Sequence, residues 1–114
     1  MRVNKDESYN GWTNYETWNL ALWMDNDQGL YSMRCEAADD IAKDNKDQSD
    51  ANIALADWLK NLVEDEQILG PLPESGFLAD MVNAAFSEIN YYEIAEHWLD
   101  DIWEEHHPKE ETEA

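Results

Sequence analysis

The sequence predicts an all-α fold, a single compact bundle of about five helices. Three observations lead there: five segments whose apolar residues recur at steps of three and four, turn-forming residues clustered between those segments, and no competing period-two alternation of a half-buried strand. At 114 residues the chain has the length of one domain, a size that buries roughly two-thirds of the surface exposed by the unfolded chain. Its 43% hydrophobic content, with six Trp, five Tyr and two Phe, supplies enough apolar surface to offset the ordering entropy of folding. The pattern divides into a loose N-terminal arm over 1–10, a helical domain over 11–105 and an acidic tail over 106–114.

Each helix has its own local reason. Thr13 with Glu16 three residues on has the form of a capping box, which places helix one at about 14–25. Trp18, Leu20, Ala21, Leu22, Trp23 and Met24 cover most of its circumference, so a central, nearly fully buried position is expected. After the turn residues of "DNDQG", Leu30, Arg34, Ala37, Ala38, Ile41 and Ala42 restore the period for helix two, about 28–44. Ser49 or Asp50 can cap helix three, about 50–66, in which Ile53, Ala56, Leu59, Leu62 and Val63 recur. "ILGPLPESG" then stops the helix, and Ser75 can start helix four with its stripe of Leu78, Met81, Val82, Ala85, Phe86 and Ile89. Asn90 and Glu93 form a second capping box for helix five, whose stripe is Tyr91, Ile94, Ala95, Trp98, Leu99 and Ile102.

Charge sets the bounds on function. With 27 Asp plus Glu against 7 Lys plus Arg the formal net charge is −20, which repels itself and costs stability at low salt. Direct nucleic-acid binding is disfavoured, because counterion release requires Lys and Arg against phosphate and no segment is locally basic. The single cysteine, Cys35, allows no intrachain disulfide, and no run approaches the ~18 to 20 apolar residues of a membrane span. A cytoplasmic protein without membrane contact is the expectation.

The constellations that could carry chemistry are weak. "DNDQGLYSMRCE" begins with Asp25 and Asp27 and ends at Glu36, as a calcium loop would, but Gly29 stands at position five where an oxygen ligand is needed. A helix cap and turn explain it better. His97, Asp101 and Glu104 share one side of helix five at i, i+3 and i+4 spacing, yet one helix supplies too few fixed ligands for a metal. Neither a Gly-rich phosphate loop nor a nucleophile elbow is present, so neither an enzyme nor a cofactor is expected. The tryptophans fall mostly on core registers, with Trp12, Trp23 and Trp103 at the edges as candidate exposed contacts.

The acidic surface remains. Glu93, Glu96, Asp100, Asp101, Glu104 and Glu105 form a ridge opposite Tyr91, Trp98 and Ile102 on helix five, and Asp39, Asp40, Asp44 and Asp57 are candidates for a second one. Carboxylates three or four residues apart stand ~4.5 to 6 Å apart along a helix axis, comparable with neighbouring phosphates on one DNA strand.

The stretch "GWTNYETWNLALWMDND", residues 11–27, resembles a motif in small uncharacterised proteins of bacteriophages, archaeal viruses and other mobile elements. That resemblance brings no catalytic residues. In size and acidity the chain is also similar to the DNA-mimic inhibitors with which phages block restriction enzymes or CRISPR effectors. Together these imply a DNA mimic that occupies the groove of a host defence or DNA-processing protein, with the two acidic ridges as its contact residues. The implied partner is a basic DNA-binding protein, and homodimerisation is compatible with the pattern. The alternatives are an adaptor that binds through exposed Trp, its acidity being only a solvated surface, and a divalent-metal-binding protein.

Overall fold

The structure is a computed structural model that describes residues 9–65, 68 and 70–108. It is all-α, as the periodicity predicts. The helices are α1 (Tyr15–Asn26), α2 (Gln28–Asp44), α3 (Gln48–Val63), α4 (Phe77–Glu88) and α5 (Tyr91–His106). Among the described residues there is no strand, and the only β feature is an isolated antiparallel bridge between Tyr9 and Trp12.

That bridge closes a tight turn. The Tyr9 and Trp12 backbones exchange N–H···O bonds of 2.7 and 2.8 Å. Asn10 and Gly11 between them have φ of 51° and 91°, a pair of positive values that matches a type I′ turn and explains the Asn-Gly dipeptide. Of the residues expected in the loose arm, 1–8 lie outside the described ones, while Tyr9 packs its ring edge-on against Trp18 at 4.9 Å.

The caps differ from the expected ones in instructive ways. Asn14, not Thr13, caps α1, accepting the Thr17 N–H at 2.9 Å. Asp27 ends α1 and caps α2, so a single residue joins the two helices. Helix α3 starts two residues earlier than predicted because Asp47 takes the cap, accepting from the Ser49 N–H at 3.0 Å. It ends at Val63, three residues before the expected boundary at 66, itself outside the described residues. Helix α4 starts after Gly76 rather than Ser75: the glycine has φ 92° and offers no side-chain cap bond. Only for α5 does the expected Asn90 cap hold, accepting the Glu93 N–H at 3.0 Å.

The core is formed where α3 and α5 pack together, with α2 against both and α1 against α2. Met24, Ala42, Leu55, Leu59, Ile94 and Leu99 are fully buried there. Arg34, one of the few cations, reaches inward: its guanidinium lies 4.9 Å from the Trp98 ring and 4.7 Å from that of Tyr31, and it pairs with Asp25 at 3.0 Å.

Two expectations about α1 and α4 change. Helix α1 is not buried all round; only Thr17, Ala21 and Met24 are, whereas Tyr15, Leu22 and Trp23 are exposed. The reason is α4, which among the described helices packs against α1 alone and buries only Ala79. One side of α1 is therefore left open. No helix formed by the described residues is long and apolar enough to cross a membrane.

Candidate functional site

Helix α5 turns its apolar stripe inward, burying Ile94, Ala95, Trp98 and Leu99. At 3.6 residues per turn the opposite side must then carry Glu93, Glu96, Asp100 and Glu104, with Asp101 on its flank. Glu105, seven residues after Trp98, falls instead on the Trp98 side of the helix, beyond the core, and contrary to expectation does not belong to the ridge. Glu96, Asp100, Asp101, Glu104 and Glu105 are exposed, and Glu93 is half-buried. From Glu93 to Glu104 the ridge spans about 16 Å of axis at 1.5 Å per residue. Near its C-terminal end a shallow cleft of about 440 Å³ is lined by Gln48, Asp100, Asp101, Trp103, Glu104 and His107.

Three contacts hold this face in place. Gln48, in the first turn of α3, donates its side-chain N–H to Asp100 Oδ1 at 2.7 Å. Trp103 stacks on His107 with ring centroids 4.1 Å apart and planes 18° from parallel. Trp12 lies against the His97 ring at 4.2 Å. Two of the three tryptophans marked as candidate contacts are thus half-buried by histidines of the ridge helix and its cap, and only Trp23 stands 60% exposed.

The start of the ridge is fastened by the "TNYET" residues of the opening motif. Asn14 Oδ1 accepts from both the N–H and the hydroxyl of Thr17, at 2.9 and 2.7 Å, while Asn14 Nδ2 donates to the Glu88 carbonyl at 2.7 Å. Thr17 Oγ1 in turn accepts the Asn90 N–H at 2.9 Å, and Glu93 Oε1 accepts the Thr13 N–H at 3.0 Å. The return half of each expected capping box is therefore opened: the Thr13 N–H, which Glu16 would accept, goes to Glu93, and the Asn90 N–H, which Glu93 would accept, goes to Thr17, while Asn90 still caps its own helix. Thr17 is fully buried, so its bonds to Asn14 and Asn90 are partly shielded from competing water, whereas the Thr13–Glu93 and Asn14–Glu88 bonds are exposed.

The second group of acids does not form one ridge. Asp39 lies at the α5 end, its Oδ1 3.2 Å from His106 Nε2, beside the 2.7 Å contact between His107 Nε2 and the Ala42 carbonyl. Asp40 and Asp44 are exposed on α2 at i, i+4 spacing. Asp57 is exposed on the side of α3 opposite its buried residues, away from the face that meets α2 and α5.

The calcium-like carboxylates have other uses. Asp25 pairs with Arg34 and Asp27 caps α2 through the Leu30 N–H at 3.0 Å. Among the described residues no group of three or more His, Cys, Asp or Glu side chains is gathered to hold a metal ion.

A family model described as "Family of unknown function (DUF7249)" matches residues 5–111. The chain belongs to the DUF7249 family. No curated protein and no solved structure matches it. The DUF7249 match takes in the whole opening motif and the whole ridge together. Sequence reasoning about this DUF7249 chain missed Asn14, Thr17 and Gln48 as the residues that hold the ridge. Asn14 and Gln48 carried a signal, since each sits where a polar side chain can cap or reach across a helix start, but their partners lie 74 and 52 residues away.

Proposed function

We propose that this protein is a DNA-mimic inhibitor from a phage or mobile element that occupies the basic DNA-binding groove of a host defence or DNA-processing protein. The reading rests on one observation: the exposed carboxylates of α5 stand on a helix whose opposite face is locked in the core. Positioned charge of this kind complements a groove built to read phosphate, because fixed carboxylates lose little side-chain freedom on docking. Its net charge of −20 adds long-range steering toward a basic partner. Inhibition would be steric and electrostatic, with no bond made or broken.

The test is capture of partners from a host lysate at low and at high salt, followed by competition with duplex DNA. A complex that weakens by at least about tenfold at high salt, as screening of exposed charge requires, and that DNA displaces is the expected result. Asp100→Asn/Asp101→Asn/Glu104→Gln should keep the helical circular dichroism and lose most of the capture. A partner held equally by this variant, or indifferent to DNA, would falsify the assignment.

A further inference from the structure

A second surface lies on the open side of α1. There a groove of about 930 Å³ runs between α1, the start of α2, the end of α3, the 70–73 segment and α4. Its walls are apolar, with Leu20, Trp23, Leu30, Met33, Val82 and Phe86 contributing most of the large side chains. Trp23 is 60% exposed at its margin, a large hydrophobic surface left in water by a chain that buries Met24 beside it completely. Leu78 and Met81 extend the apolar character along α4, with 65% and 54% of their surface exposed. Among the described residues the charged side chains lining the groove are Glu16 and Asp27, and no Lys, Arg or His is among them. Among the described residues none lines both this groove and the cleft on the ridge.

We propose that the groove docks a basic amphipathic helix of a partner protein. The shape favours a helix: the walls are themselves helices, the described residues offer no sheet edge for an added strand, and an apolar channel between helices takes the apolar face of another. Charge selects the kind of helix. A second copy of this chain would bring −20 against −20, with Glu16 and Asp27 facing like charge. A helix with Leu-type residues at i, i+3, i+4 and i+7 and Lys or Arg beside them meets both the walls and the carboxylates. Met33, unbranched and polarisable, lets the wall adapt to different side chains, and Trp23 has the size and position of an anchor.

The probe is a fluorescently labelled synthetic peptide of about 18 residues, roughly five helical turns, with Leu on one face and Lys on the other. Its control has the same composition with the period scrambled, and binding to the full chain is read by anisotropy. The amphipathic peptide should bind at least about tenfold more tightly than the control, and Trp23→Ala should remove about tenfold of that affinity. Glu16→Gln should weaken binding by a smaller factor. Because Trp23 is exposed, Trp23→Ala should fold normally, which circular dichroism checks. Equal binding of the scrambled peptide would reduce the effect to net charge and overturn the proposal, as would an unchanged affinity in Trp23→Ala. So would sedimentation showing a dimer that Trp23→Ala converts to monomer, since the occupant would then be a second copy. The ridge variant Asp100→Asn/Asp101→Asn/Glu104→Gln should leave the Trp23 effect intact, so failure here and failure of DNA mimicry are separable.

Discussion

Helices α4 and α5 follow one another with two residues between them, and both carry clean apolar stripes, yet they end in opposite situations. The α5 stripe closes the core against α3 and α2; that of α4 meets α1 alone and leaves Leu78 and Met81 mostly in water. Fully burying a Leu is worth about 1.5–3 kcal/mol, so Leu99 at 0% exposure and Leu78 at 65% contribute very differently from the same residue type. Periodicity reports which residues share a face. Whether that face is covered depends on what the rest of the chain brings to it.

The sharpest way to break the comparison is substitution on the two stripes. Leu99→Ala should cost about 2–5 kcal/mol in urea unfolding, and Leu78→Ala should stay within about 0.5 kcal/mol. Comparable losses at both positions would mean that α4 is covered after all.

A smaller effect tests the fastening between α1 and α5. Thr17→Val keeps the shape and removes the hydroxyl, leaving the Asn90 N–H without its acceptor. The expected cost is about 1–3 kcal/mol, read as a lower midpoint at unchanged denaturant slope. An unaltered midpoint would show that the junction is held by packing alone.

The smallest effect concerns the first residue of α5. Burial, reinforced by the negative charge of Glu64, pushes the Tyr91 hydroxyl from its ordinary 10.0 up to about 12. The folded state therefore holds this proton more tightly than the unfolded one. Its contribution is complete below pH 10 and disappears as pH rises through about 12. In an alkaline titration followed by tyrosinate absorbance, Tyr91 should ionise late, and Tyr91→Phe should flatten the loss of stability in that window. A tyrosine population titrating uniformly near 10 would contradict this placement.

Much of the architecture was legible because it is local. The stripes of α4 and α5, the Asn90 cap and the order of five helices all follow from residues within a few positions of one another. The misplaced features depend on distant partners. Thr13 and Glu16 have the spacing of a capping box, but the Thr13 N–H finds Glu93 across the fold, and Asn14 takes the cap while its amide bonds Glu88. Helix α1 has an all-round apolar pattern that implies central burial, and nothing within it discloses that α4 stays clear of Trp23. At the candidate site, the exposed side of α5 was readable from its period. The dispersal of Asp39, Asp40, Asp44 and Asp57 over different faces was not, because it depends on how α2 and α3 are rotated against α5.

The bonds joining Thr13, Asn14 and Thr17 to Glu88, Asn90 and Glu93 span 73 to 80 residues of chain. Contacts of such separation close the largest loops, and loop closure is what makes folding slow. During synthesis the first helix can coil as soon as it emerges, but its polar knot has no partners until residues 88–93 have left the ribosome. Ala21 and Met24, buried in the finished fold, must wait in solvent through that interval. The heavy negative charge then has a second use, keeping nascent copies apart while their aromatic ends are unfinished.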